Sequence, residues 1–221
     1  MNVFLAILWK DLVSEWRSRD RATAMGVFAL LVVVIFHFAW PGGDDERARE
    51  LAPGLLWIAY VFAALLGLNR AFSVELENDA LAGLASIPRD RGFVFLGKAA
   101  ASFAILAPVQ AVTALVFALI FDVGSWSQAP RLAGVIALGS LGICAVGTLF
   151  GAVAVRTRFR EVMLPLLILP LLVPVLSGCV SATAEVLRGE TPSFASIQLL
   201  LVADAVYWIS SFVGFDYVLD E

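Results

Sequence analysis

The sequence predicts an all-α polytopic membrane protein with six transmembrane helices, an interfacial helix at the N-terminus and a further helix at the cytoplasmic surface. Three observations carry this reading. The 221 residues are 61% hydrophobic and 15% charged, with a mean hydropathy of +0.90, far more apolar than a soluble domain of that length requires. Six apolar segments can be drawn, at about 22–40, 53–72, 97–121, 131–155, 162–181 and 197–215, each near the ~20 residues that cross a bilayer as a helix. The cations between them are uneven: Lys10, Arg17, Arg19, Arg21, Arg70, Arg89, Arg91, Lys98, Arg156, Arg158 and Arg160 fall on one side, and Arg47, Arg49, Arg131 and Arg188 on the other. By the positive-inside rule both termini are cytoplasmic. The whole chain, 1–221, reads as a single transmembrane domain with no room for a sizeable soluble one. The net charge of −4 adds little, because orientation follows the placement of Lys and Arg and not their sum.

Residues 3–20 precede the first span. On a helical wheel Phe4, Leu5, Leu8, Trp9, Leu12, Val13 and Trp16 fill one half, and Lys10, Asp11, Ser14, Arg17 and Ser18 much of the other. Such a helix lies in the interface; the bland alternative is a frayed extension of the first span. Glu15 and Arg19 intrude on the apolar arc. Trp40, Trp57 and Trp126 fall near the outer span ends, as an interfacial aromatic belt requires. His37, the only histidine, reads either as a haem-iron ligand or, more commonly, as a bundle residue bonded to a neighbour.

The segment 73–88 reads as a separate cytoplasmic helix. Ser73 can cap it, Glu75, Glu77 and Asp79 sit in its first turns, and Leu76, Ala80, Leu84 and Ile87 form an apolar stripe. Pro88 ends it, with Arg89 and Arg91 beyond as surface cations. An acidic start and an apolar stripe suit docking into another protein; packing on lipid headgroups is the alternative. Glu75, Leu76, Glu77, Asp79, Leu84 and Arg89 are the docking candidates.

Gly92 to Lys98 matches GxxxxGK, but Ala99 stands where a phosphate loop needs Ser or Thr, and a span follows where a strand should precede. Lys98 is therefore expected to be a snorkelling interfacial anchor, and the chain to be no ATPase by itself. In the third span Gln110 lies two residues from Pro108. In the fourth, Gly147 and Gly151 form a GxxxG pair that permits close helix contact, within the chain or between copies. The fifth carries Pro165, Pro170 and Pro174 within Leu164–Val175, a spacing that predicts a broken span, used for packing or for motion. Asp204 sits inside the last span, where a charge costs roughly 2.5–3.5 kcal/mol on insertion scales; it bonds helices together, holds a proton or meets a substrate. Cys144 and Cys179 lie in spans and form no CxxC pattern. No HExxH, Ser/His/Asp set or paired surface carboxylates point to catalysis.

The order of these elements resembles the membrane subunit of an ABC transporter of the ABC-2 exporter type. Ala52-Pro-Gly-Leu-Leu-Trp57, Leu65-Leu-Gly-Leu-Asn69-Arg70-Ala-Phe72, then Glu75, Glu77 and Leu81, and later Leu166 to Pro174, resemble the haem exporter protein B (CcmB) family of the cytochrome c maturation system. The resemblance covers essentially the whole chain and is most specific at 52–98. It implies a non-catalytic, permease-like subunit of the bacterial inner membrane whose cytoplasmic helix couples to a separate ABC ATPase, with two copies of each. It also implies a membrane haem-handling protein and a periplasmic haem chaperone as partners, with ATP bound in the ATPase, haem handled by the complex, and no nucleic acid. Asn69, Arg70, Gln110, Pro170, Pro174 and Asp204 are the structural or pathway candidates it leaves. The acidic tail from Asp216 and Cys179 match nothing in the family pattern. The tryptophan-rich haem motif of the handling partner is missing here, which favours release of the loaded chaperone over passage of haem. A membrane subunit for drug, lipid or polysaccharide export shares the same features, and an assembly factor without an ATPase is a third reading.

Overall fold

Apolar content of this kind forces the backbone to satisfy itself within each segment, and the chain does so with helices. The computed structural model describes residues 3–39, 45–77, 92–122, 125–154, 157 and 159–220, and every regular element among them is helical. They are α1 (Val3–Ser18), α2 (Asp20–Ala39), α3 (Asp45–Glu77), α4 (Gly92–Phe121), α5 (Ala129–Ala154), α6 (Arg160–Leu187) and α7 (Phe194–Asp220). Six of these, α2 to α7, are long and apolar enough to cross a membrane. With six crossings the chain begins and ends at the same face of the bundle, the face where α1 lies.

The bundle is built around α3 and α5. Their apolar windows are 67% and 56% buried, against 17–33% for the other four, so these two helices sit inside and the rest face lipid on one side. Small residues make the contact. A β-carbon on Gly139 would lie 2.4 Å from the Trp57 ring, one on Gly147 2.2 Å from Leu68, and one on Gly151 2.8 Å from Phe72. Glycines at this spacing give α5 one face into which three large side chains of α3 sink, the packing that membrane helices use in place of a hydrophobic drive. The GxxxG pair is thus spent inside the chain. α6 and α7 join by the same device, with Gly178 receiving Leu200.

Turns follow from local chemistry. A single residue, Arg19, separates α1 from α2; it takes the left-handed conformation (φ 58°), and the Glu15 carboxylate turns back to accept the Ala22 N–H at 2.9 Å. That bond places an anion on the start of α2, where free N–H groups and the helix dipole favour it. Glu15 therefore intrudes on the apolar arc because it caps the next helix. At the other face Gly189 (φ 86°) closes α6, with the Glu190 N–H reaching the Glu185 carbonyl. The Glu185 side chain then accepts the Ser193 N–H at 2.6 Å, just ahead of α7.

Three expectations are corrected. α6 runs unbroken from Arg160 to Leu187 with Pro165, Pro170 and Pro174 inside it. Pro170 and Pro174 face outward, where the rings meet lipid and not a packed neighbour. The Tyr207 hydroxyl of α7 donates to the Leu171 carbonyl, the residue after Pro170, whose own carbonyl Pro174 leaves without an intrahelical N–H. Second, Trp57 is not a belt residue: it is 1% exposed, donates from Nε1 to Thr183 Oγ1 at 2.9 Å, and meets Tyr60 edge-on at 5.5 Å. Trp126 is exposed as the belt requires; Trp40 lies outside the described residues. Third, α3 passes through Ser73 to Glu77 without a break. No glycine or proline lies between Gly67 and Glu77 to interrupt it, so Ser73 starts no new helix and Glu75 and Glu77 are not first-turn acids. The 33 residues of α3 measure about 50 Å, well beyond a hydrocarbon core of ~30 Å.

The glycine face yields a direct test. Gly139→Ala should lower stability by about 1–3 kcal/mol, because the added methyl meets the Trp57 ring and the Cys179 sulfur in a packed interior. Gly134→Ala, with open space around it, should change it by less than about 0.5 kcal/mol. Thermal unfolding in detergent micelles distinguishes the two.

Candidate functional site

Two polar constellations stand out against the apolar bundle. The first pins α1 to the transmembrane body. Ile7, Asp11 and Glu15 recur every four residues and so share the face that packs on the bundle. Gly97 lets the helices close: a β-carbon there would come within 3.0 Å of the Phe4 carbonyl and of Ile7. Beside it Lys98 is 2% exposed, lies 3.3 Å from the Asp11 carboxylate, and stands 4.9 Å over the Phe72 ring. Arg21, also buried, reaches Ser102 Oγ at 3.5 Å.

The GxxxxGK match is thereby explained without any phosphate. Gly92 makes room for the Phe212 ring, Gly97 for α1, and Lys98 binds Asp11. The snorkelling role expected of Lys98 is corrected: its ammonium is drawn inward because an acid from α1 waits there. Burial pushes the Asp11 carboxyl up, but the charges of Lys98, Lys10 and Arg21 together with a Lys10 hydrogen bond outweigh it and hold the group below its ordinary value.

With Asp11 and Glu15 turned inward, α1 presents three sides and not two halves. One packs on α4, one carries the exposed Leu5, Trp9 and Trp16, and one carries the exposed Lys10 and Arg17. Arg19 lies 5.7 Å over the Trp16 ring. This is the geometry of a helix lying in an interface, with bundle, lipid and water each taking a face.

The second constellation lies midway along the spans. Gln110 is 1% exposed; its carbonyl accepts the Tyr60 hydroxyl at 2.9 Å, and its side-chain amide meets Ser140 Oγ at 2.7 Å. Ser140 also lies 2.6 Å from the Ile136 carbonyl. One hydroxyl proton serves only one acceptor, so Gln110 is best satisfied with its NH2 turned toward Ser140. Asp204 is 6% exposed and faces inward over Gly142, where an added β-carbon would come 2.3 Å from Oδ1. Neither of its oxygens has a hydrogen-bond partner.

The remaining candidates fall as follows. Asn69 is half-buried and Arg70 exposed in the last turns of α3 before Phe72. Glu75, Leu76 and Glu77 belong to the final described turn of α3, and Asp79, Leu84 and Arg89 lie outside the described residues. His37 is exposed at the end of α2, edge-on to Phe121 at 6.0 Å, and among the described residues no three metal-binding side chains gather. Sequence reasoning missed Asp11, Arg21, Tyr60, Ser140 and Thr183. Asp11 sat on the polar half of the wheel and gave no sign of its role; a partner 87 residues away leaves no local pattern.

A bundle of six apolar spans, two of them inside and four facing lipid, clasped by a surface helix, defines a multi-pass membrane protein. Comparison with known proteins makes this particular: the chain belongs to the CcmB protein family, whose model matches residues 2–213. It is 28% identical over 209 residues to the haem exporter protein B of Paracoccus denitrificans, covering 95% of both chains. It is 32% identical to that of Rhodobacter capsulatus, over 85% of this chain and 86% of the relative. The protein of the same name from Pseudomonas aeruginosa is 27% identical over 95% of this chain and 89% of its own.

The Asp11–Lys98 pair predicts a measurable clasp. Asp11 also holds Lys10 at 3.0 Å, so Lys98→Met, which leaves the carboxylate that partner, should cost about 1–3 kcal/mol. Asp11→Leu, which takes the carboxylate from both ammonium groups, should cost about 3–5 kcal/mol, and the double substitution less than Asp11→Leu alone. A carboxyl held below its ordinary value stabilises the fold above that value and ceases to do so as pH falls through the lowered one. Wild-type melting temperature should therefore drop on acidification below about pH 4, where unfolded Asp begins to take up protons. The double variant should show a smaller drop. Thermal melts across that pH range provide the check.

Proposed function

We propose that this chain is the membrane, permease-like subunit of an ABC transporter complex in cytochrome c biogenesis. ATP hydrolysis in a separate cytoplasmic ATPase would be coupled through it to haem delivery or to release of the haem-loaded periplasmic chaperone. The observation that carries the reading is kinship along essentially the whole length with proteins named haem exporter protein B, together with the family match. The cation distribution supports a bacterial inner-membrane setting with both termini in the cytoplasm. The face that holds α1 and the far end of α3 is then cytoplasmic, the side on which an ATPase works.

Within that reading the segment beginning at Ser73 is the coupling element. Glu75, Glu77 and Asp79 supply charge for a basic ATPase surface, Leu76 and Leu84 an apolar stripe, and Arg89 a surface anchor. The subunit contributes motion and no catalytic group, with ATP bound in the ATPase and haem handled by the complex as cargo. A membrane haem-handling protein and a second copy of the chain complete the assembly. Release of the loaded chaperone is favoured, since a lone histidine, His37, provides no bis-histidine site for passing haem.

Deletion of the coding sequence should abolish covalent haem staining of all c-type cytochromes while b-type cytochromes persist. Normal staining in the deletion strain overturns the proposal. Glu75→Lys and Glu77→Lys should each reduce co-purification of the ATPase severalfold and weaken haem staining. Unchanged recovery of the ATPase with unchanged staining removes these acids from the coupling surface.

A further inference from the structure

Among the described residues, Asp204 is a buried acid whose chemistry the proposed function leaves unused. It lies deep in α7, inside the apolar window Phe194–Val218. Gly142 of α5 and Val175 of α6 border the notch it fills: a β-carbon added to Gly142 would crowd Oδ1, lie 3.4 Å from the carboxyl carbon and 3.1 Å from Val175 Cγ2. Both oxygens are buried and neither accepts or donates a hydrogen bond.

Among the described residues, the groups around it carry no compensating charge. On α6 the titratable group within electrostatic reach is the Cys179 thiol, and on α7 itself it is the Tyr207 phenol, whose proton is given to the Leu171 carbonyl. On α5 the notch is glycine, and Cys144 lines the same small cavity as Arg21. α4 meets α7 through Phe95, packed on Phe215 at 5.7 Å, and through Gly92; its cation, Lys98, is held by Asp11. A bare carboxylate in such a place forfeits its hydration with nothing in return, a cost no single helix contact offsets, whereas the neutral acid forfeits far less.

We propose that Asp204 is a proton-binding site within the membrane: the neutral carboxylic acid occupies the notch over Gly142, and the carboxylate left by proton loss is expelled from it, so that proton binding and the α5–α7 contact are coupled. The ligand is the proton itself, taken up as COO⁻ becomes COOH, with no other atom exchanged. Separation of α5 from α7 would release it, and closure would take it back.

The test uses the full chain in lipid nanodiscs, uniformly carrying ¹³C-carboxyl aspartate, read by isotope-edited infrared spectroscopy at neutral pH. The expected result is a carbonyl band of a protonated carboxylic acid that bears the isotope shift and disappears on alkaline titration. Asp204→Asn should lose the band while keeping the wild-type melting temperature, since the amide mimics the neutral acid. Asp204→Glu, whose acid is unlabelled, should move the band to the unlabelled position. Gly142→Ala, which crowds Oδ1, should shift its frequency. Carboxylate bands alone in the wild-type protein overturn the proposal even if no variant folds, and so does a labelled acid band that survives both substitutions of Asp204.

Discussion

Everything in this bundle depends on how closely α3 can approach α5. A lipid-solvated helix gains nothing by leaving lipid for another greasy helix, so association needs surfaces that fit better than acyl chains do. Gly139, Gly147 and Gly151 supply that fit by removing side chains from one face of α5, and Trp57, Leu68 and Phe72 fill the space. Once those two helices are joined, α2 packs along α3, α6 and α7 along α5, and α4 against both. The lipid-facing sides of these four need only be apolar.

The same closeness makes polar groups affordable inside the membrane. Trp57 and Tyr60, brought down onto α5, α6 and α4, each find an acceptor: Thr183 for one and the Gln110 carbonyl for the other. Tyr207 binds the Leu171 carbonyl within the proline-bearing stretch of α6, a helix that continues unbroken past all three prolines. These bonds link helices far apart in sequence, and they fix rotation about each helix axis in a way that apolar contact alone leaves loose.

Much of this was legible in the sequence, and the misses share a cause. Span number and the lipid-facing pattern depend on composition within a window of twenty residues, so Met25, Val33 and their neighbours announce α2 unaided. The tight glycine face of α5 was visible as spacing, although its partner was not, because pairing Gly147 with Leu68 is a tertiary fact. Lys98 and Trp57 were misread for one reason: near a span end both residue types usually seek the interface, and only a specific neighbour, Asp11 or Thr183, draws them inward. Ser73 was misread as a cap because capping residues mark a helix start only if the preceding helix has stopped, and α3 continues from Gly67 through Glu77. The intramembrane site was half readable: Asp204 and Gln110 stood out as costly, but Gly142, Tyr60 and Ser140 gave no sign of surrounding them.

The continuity of α3 has a mechanical meaning. A helix without a hinge behaves as a rod, and this one is stiff from Trp57 to Glu77, its only proline, Pro53, lying near the opposite tip. A sideways force applied past Phe72 is therefore not absorbed by bending at the membrane boundary. It is delivered as leverage to the ring of Trp57 and the hydroxyl of Tyr60, the places where the rod is bolted to its neighbours.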